Sequence, residues 1–272
     1  MRTTPREERR RALDALVDQV ALEEFAAAHG AVALPPVAIV IAAYHEVDNI
    51  DALLEKLPGN LCDLDARAIV VIDGEEDGTA AKVRAAGQLA VIAPVNRGQG
   101  AALRLGYRVA RERGAKYVVT ADGDGQGDPA DLGRALEPVV AGAADFVNGS
   151  RRLGATESDD KMRNTGVLVY ARLISALTGT KVTDTANPIR AMRAALTASL
   201  TLHEPQYQAS ELLISAIATG ARYREVPMTM RARASGASKK GGNLAYGYRY
   251  GKVVLRTWWR ERPLLKASRA KR

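Results

Sequence analysis

Two aspartates spaced one residue apart, Asp122 and Asp124, follow the apolar run Tyr117-Val-Val-Thr-Ala and stand in a glycine-rich stretch with Gln126, Asp128 and Pro129. Two carboxylates and a side-chain amide oxygen at alternate positions make a hard, all-oxygen donor set. Such a set suits Mg²⁺ or Mn²⁺ shared with a diphosphate. The glycines let the backbone turn tightly, and Pro129 can open the next helix. A calcium loop of the EF-hand type is the rival reading. Asp122, Asp124, Gln126 and Gly127 fill its first, third, fifth and sixth positions, but the twelfth, which needs a bidentate Glu, is Gly133. The flanking segments also read as strand then helix, not helix then helix. For the motif alone, a plain polar turn stays open.

Three more polar loops follow apolar runs. They are Ala43-Tyr44-His45-Glu46-Val47-Asp48-Asn49, Asp73-Gly74-Glu75-Glu76-Asp77-Gly78-Thr79 and Asn96-Arg97-Gly98-Gln99-Gly100. Carboxylates in such loops can accept hydrogen bonds from base and ribose, and helix N-termini favour phosphate. None is a dinucleotide fingerprint or a P-loop. Each alone is weak, because acids at strand ends often cap helices.

The elements that must carry these loops alternate. Apolar, β-branched runs at Val37–Ala43, Ala68–Ile72, Leu89–Ala93, Tyr117–Ala121 and Asp145–Asn148 are separated mostly by segments of helical pattern, at 48–57, 79–86, 98–113 and 129–141. Short buried strands alternating with helices predict a three-layer α/β fold with a mainly parallel sheet. Ligands of such sheets bind beyond the carboxyl ends of the strands. Downstream, the pattern predicts helices at 162–178, 190–202 and 208–219 and a strand at Tyr223–Met230. An amphipathic helix is expected over 5–30, ending at His29-Gly30 ahead of Pro35-Pro36.

The chain of 272 residues is long enough for one sizeable α/β core. A single cysteine, Cys62, excludes an internal disulfide and fits a reducing cytosolic setting. The longest apolar run, Val37–Ala43, falls well short of the roughly 20 residues of a spanning helix, and residues 1–16 lack a signal-peptide apolar region. The net charge of +8 is concentrated at Arg249, Lys252, Arg256, Arg260, Arg262, Lys266, Arg269, Lys271 and Arg272, opposed there only by Glu261. Tyr246, Tyr248, Tyr250, Trp258 and Trp259 interleave with this basic stretch. It could lie at an anionic headgroup interface, pack on the domain or at a homodimer contact, or be a solubilising, disordered end. Nucleic acid is not expected as a partner, since no RNA- or DNA-binding motif accompanies the patch.

The sequence resembles the family 2 inverting glycosyltransferases of GT-A (nucleotide-diphospho-sugar transferase) fold, in particular the polyprenyl-phosphate branch typified by dolichyl-phosphate mannose or glucose synthases. The resemblance covers about 37–240. It is carried by "IAAYHEVDNI", by "DGEEDGT", by "DGDGQGDP", and downstream by "NGSRR", "DTANPIRAM" and "EVPMTMRARASGASK". It implies a three-layer α/β/α fold, with Asp122, Asp124 and Gln126 as ligands of Mg²⁺ or Mn²⁺. It implies Ala43, Tyr44, Glu46, Asp73, Gly100, Asp122 and Gly123 along a UDP- or GDP-linked sugar. It implies Arg151, Arg163, Arg190, Arg233, Ser238 and Lys239 at an acceptor phosphate, with Asp124, Asp184 and Arg233 as the catalytic set. Two departures stand out: Asn187-Pro188-Ile189 where Ser-Gly-Phe is usual, and Gly127-Asp128 where His-Pro is usual.

The expected reaction is transfer of a sugar from a nucleoside diphosphate to a polyprenyl phosphate. A lipid phosphate is largely ionised at neutral pH and needs no general base; it needs Arg and Lys to hold it. A hydroxyl acceptor, soluble or glycan, would instead need a carboxylate base, and Asp184 and Glu211 are the candidates. Glu211 could equally pair with a nearby Arg. A non-catalytic calcium- or nucleotide-binding module is the reading from another class. The expected organisation is an N-terminal helix (1–34), a catalytic domain (35–240) and a basic aromatic C-terminal segment (241–272), on a cytoplasmic protein that could sit peripherally on the membrane face.

Overall fold

The computed structural model describes residues 4–74, 77–122, 128, 130–156, 161–230 and 243–270, without the side chains of 155–156, 161–164, 230 and 243–245. Its elements run α1 (Pro5–His29), β1 (Val37–Ala43), α2 (Ile50–Leu54), β2 (Asn60–Leu61), β3 (Leu64–Asp73), α3 (Thr79–Ala85), β4 (Leu89–Ala93), α4 (Gln99–Glu112) and β5 (Tyr117–Asp122). They continue with α5 (Ala130–Val140), β6 (Phe146–Thr156), α6 (Lys161–Thr178), β7 (Arg190–Arg193), α7 (Leu196–Ser199), α8 (Gln208–Ala218), β8 (Tyr223–Met230) and α9 (Asn243–Arg269).

One sheet holds them, in the order β2-β3-β1-β5-β7-β6-β8 with β4 beside β3. The β4-β3-β1-β5 half is parallel, as is the β6–β8 pair. Strand β7 runs antiparallel between β5 and β6, so the sheet is mixed and mainly parallel, as the alternating pattern predicts.

Side chains of successive strand residues point to opposite faces. Val37, Ile39 and Ile41 of β1 meet residues of α2, α3 and α5 in one core cluster, while Ala38 and Val40 meet α1, α4, α8 and α9 in the other. Both faces are covered, which is why the parallel strands read as continuous apolar runs. Gly106 of α4 lets that helix lie close on β1: a Cβ there would come within 2.4 Å of Val40 Cγ1.

Residues 190–202 were expected to be helical. The structure gives β7 and the single turn α7 instead. Thr120 and Asn148 on the neighbouring strands both bond Arg190, and these long-range pairings override the local Ala-rich composition. Within the C-terminal segment, residues Asn243–Arg269 form an ordered helix, not a disordered end. Helix α9 buries Tyr250, Val253, Val254 and Leu265, Trp258 Nε1 donates to Leu177 O at 3.1 Å, and Arg256 pairs with Glu7 of α1. Helix α1 buries Val17, Ala21 and Phe25 in the same cluster. Both terminal helices are therefore built into the core of the sheet's α4 side.

Candidate active site

The strand register puts the predicted residues in one row. Ala43 of β1 lies opposite Ile72 of β3, so Tyr44 and Asp73 follow side by side. Ala42 lies opposite Asp122, the last residue of β5, and Asp73 lies opposite Ala93 of β4. Tyr44, Asp73 and Asp122 thus share the carboxyl edge of the parallel strands, where α/β sheets bind ligands.

Asp122 is partly exposed at this edge, and Gln99 Nε2 donates to its Oδ1 at 2.9 Å. Gly123, Asp124 and Gln126 lie outside the described residues. The donor chemistry nevertheless fits a hard divalent cation, because Asp122 offers carboxylate oxygen at an open edge. Among the described residues no three His, Cys, Asp or Glu side chains converge on one metal position, so the fit rests on Asp122 and on the composition of the loop that follows it.

Tyr44 is 41% exposed, and its ring meets His45 edge-on with centroids 4.2 Å apart. His45 holds a left-handed backbone with φ 52°, a conformation more accessible to His than to most residues. Glu46 is fixed by Asn49, whose Nδ2 donates to Glu46 Oε2 at 2.9 Å.

Asp73 has a role that the sequence alone does not suggest. Its side chain is almost fully buried. The backbone N–H of Arg97 donates to both oxygens, at 3.1 and 3.0 Å, and that of Gly98 donates to Oδ2 at 2.6 Å. Burial pushes this carboxyl above the ordinary range, although the Arg97 and Gly98 bonds pull it down. Asp73 therefore holds the β4–α4 loop against the end of β3. Gly100, expected along the nucleotide, also shapes the site from behind. Its N–H donates to Pro205 O at 2.8 Å, and a Cβ there would stand 2.1 Å from Glu204 O.

Asp184 is fully buried. Arg151 donates to it from Nε (2.7 Å, Oδ2), Nη2 (2.9 Å, Oδ1) and the backbone N–H (3.1 Å, Oδ2), and Ala186 N–H donates to Oδ1 at 2.9 Å. Burial pushes the Asp184 carboxyl up, but the bonds and charge of Arg151 outweigh it and hold it below the ordinary range. A general base needs an accessible lone pair within reach of its proton. Both oxygens of Asp184, expected in the catalytic set, are engaged by Arg151 and Ala186 in the interior. The Nε–Nη2 fork of Arg151, expected on an acceptor phosphate, is occupied by the same pair.

Glu225 ties this region to β8, accepting from the N–H groups of Thr183 (2.9 Å to Oε1) and Asp184 (3.2 Å to Oε1). Glu211 is likewise committed. It accepts from His203 N–H, Glu204 N–H and Arg260 Nη1 at 2.9, 2.8 and 2.9 Å.

Arg190 is buried at the start of β7 with Nε on Asn148 Oδ1 at 3.2 Å. Arg163 falls in α6, its side chain outside the description. Arg233, Ser238 and Lys239 lie outside the described residues. Sequence reasoning missed Gln99, Arg97 and Glu225. Gln99 and Arg97 sit in a loop already marked as a strand end, so their neighbourhood was legible though their partners were not.

The profile described as "Glycosyl transferase family 2" matches residues 38–200. The chain belongs to this family. A dolichyl-phosphate hexose transferase of Haloferax volcanii is 30% identical over 83% of this chain and 95% of its own. An undecaprenyl-phosphate mannosyltransferase of Micrococcus luteus is 30% identical over 75% of this chain and 87% of its own. Among solved structures, glucosyl-3-phosphoglycerate synthase from Mycobacterium tuberculosis, in complex with Mn²⁺, UDP and glucosyl-3-phosphoglycerate, aligns with a TM-score of 0.63 at 20% identity, covering 82% of this chain and 80% of that one. At that identity the match speaks for the fold, which is GT-A-like. This glycosyltransferase carries the family match on the sheet from β1 to α7, while α1 and α9 lie outside it.

Proposed function

We propose that this family 2 glycosyltransferase moves a sugar, with inversion, from a nucleoside diphosphate to a polyprenyl phosphate. The observation that carries the reading is the strand-edge row of Tyr44, Asp73 and Asp122 in a chain whose relatives of similar length are named for lipid-phosphate acceptors. Asp122, with Asp124 and Gln126, would hold a divalent cation, which when bound supplies Lewis-acid neutralisation of the leaving diphosphate. Ala43, Tyr44, Glu46 and Gly123 would line the nucleotide, and Asp73 would fix the loop beside it. Arg163, Arg190, Arg233, Ser238 and Lys239 would orient the acceptor phosphate, whose own charge makes it the nucleophile. The buried, fully bonded state of Asp184 and Glu211 favours this acceptor over a hydroxyl, which would need a free base.

We also propose a peripheral place on the cytoplasmic membrane face, and α9 supports it. No helix among the described residues is long and apolar enough to cross a membrane. Tyr248, Leu255 and Trp259 are 76, 50 and 55% exposed and at helical spacing share a face with Lys252, Arg262 and Lys266. The Arg262 guanidinium lies over the Trp259 ring at 4.7 Å. An aromatic and basic face of this kind suits an anionic headgroup layer.

The test is a transfer assay with radiolabelled UDP- and GDP-sugars, Mn²⁺ or Mg²⁺, and a short polyprenyl phosphate. Label entering the organic phase is the expected result. Donor hydrolysis, or label only in water-soluble products, overturns the proposal. A thermal-shift screen with metal identifies the base, since a bound donor stabilises the native state by mass action.

A further inference from the structure

A cleft of about 480 Å³ opens between α1 and α9, closed at its floor by the β4–α4 loop and the segment before α8. Its size falls in the range of ligand pockets. It does not include Tyr44, Asp73 or Asp122. Gln99 and Arg97 separate the two places: the Gln99 side chain reaches Asp122, whereas the Arg97 side chain turns to α1, where Nη1 donates to Asp14 O at 2.9 Å and to Asp18 Oδ1 at 2.8 Å.

The Arg97 side chain is 6% exposed. Its Nε and Nη2 are buried and have no hydrogen-bond partner. These two N–H groups form the edge of the guanidinium that donates in parallel to two oxygens of a phosphate or carboxylate. Buried polar groups are otherwise almost always paired. The Nε of Arg10 is in the same condition, while its Nη2 holds His203 O at 2.9 Å.

On the opposite wall, Arg249 and Lys252 are exposed and make no ion pair among the described residues. The one acid in the wall is Glu204. Burial, then the charge of Glu211, hold its carboxyl above the ordinary range, and Arg256 stands 3.9 Å away. Asp14 and Asp18 balance Arg97 from the α1 side, which leaves the cleft positive.

We propose that this cleft is a second anion site, taking a phosphate-bearing ligand on Arg97, Arg10, Arg249 and Lys252, apart from the donor diphosphate. It is walled by α1 and α9, which lie outside the family match, and touches the loop that Asp73 holds. Binding there and donor binding are therefore linked through Arg97 and Gly98, and linkage of this kind is reciprocal.

The experiment is isothermal titration of inorganic pyrophosphate into the full chain in chelator-treated buffer, repeated with saturating UDP. Wild type is expected to bind one equivalent in both cases, and the double variant Arg249→Glu/Lys252→Glu to bind about tenfold more weakly, as lost charge-assisted contacts require. Arg10→Ala, which leaves α9 intact, is expected to weaken binding as well. A short-chain phosphatidylglycerol that displaces the pyrophosphate identifies a lipid headgroup as the source; failure to displace identifies a free phosphate compound. Undiminished binding in both variants overturns the proposal. So does one-for-one displacement by UDP, which would return the cations to the donor site.

Discussion

Arg151 and Asp184 form a bidentate ion pair in the protein interior, Nε to Oδ2 at 2.7 Å and Nη2 to Oδ1 at 2.9 Å, with side chains 6% and 0% exposed. Breaking such a pair strands a buried charge, at a cost of about 3–5 kcal/mol. Asp184→Ala is expected to lower the unfolding free energy by that margin, read from urea unfolding as a lower midpoint. In Asp184→Asn, the transfer rate per folded molecule should keep the wild-type pH profile. A flattened acid limb in that variant would restore Asp184 as a base.

Asp73 anchors Arg97 and Gly98 through their backbone N–H groups. Asp73→Ala removes the acceptor of two part-buried donors, each bond worth about 0.5–1.5 kcal/mol. The loop should loosen, and donor affinity should fall more than acceptor affinity. Separate Michaelis constants for the two substrates check this; an acceptor-only effect would contradict it.

Gly100 has no room for a methyl group beneath Glu204 O. Gly100→Ala is expected to destabilise by about 1–3 kcal/mol through overpacking, and to displace the 203–207 segment from α4. Thermal unfolding measures the first effect. Faster amide hydrogen exchange in that segment measures the second.

His203 supplies a pH dependence. Burial, then the charges of Arg11 and Arg260, push its imidazole down to about 4 from an ordinary 6.5. Above pH 6.5 neither folded nor unfolded chain protonates it. As pH falls from 6.5 towards 4, the unfolded chain gains a proton that the native state refuses, so stability drops. Melting temperatures across this window should decline in wild type, and less steeply in His203→Gln. Equal slopes would remove His203 as the cause.

The parallel half of the sheet was legible because β1, β3, β4 and β5 are buried on both faces and read as apolar runs. Their register then follows from the βαβ rhythm, and with it the row of Tyr44, Asp73 and Asp122. Strand β7 was not legible. Arg190-Ala-Met-Arg193 has no β-branched residue and precedes an Ala-rich stretch, so only pairing with β5 and β6 makes it a strand. The polar run Gly149–Arg152 likewise hid the length of β6. At the site, residue types pointed to oxygen ligands, but the partners of Asp73 lie 24 and 25 positions away and those of Arg97 lie on α1. Contacts at that separation leave no local pattern in the chain.

The pairing of Glu7 with Arg256 spans 249 positions. Among the described elements, α1 is made ahead of the strands and its partner on α9 behind them. The βαβ units from β1 to β5 are local and can assemble while α9 is still unmade. Throughout that interval the inner face of α1 has part of its packing and none of its α9 cover. Until α9 docks, that face of α1 stays partly uncovered, and transiently exposed apolar surface of this kind favours misassembly.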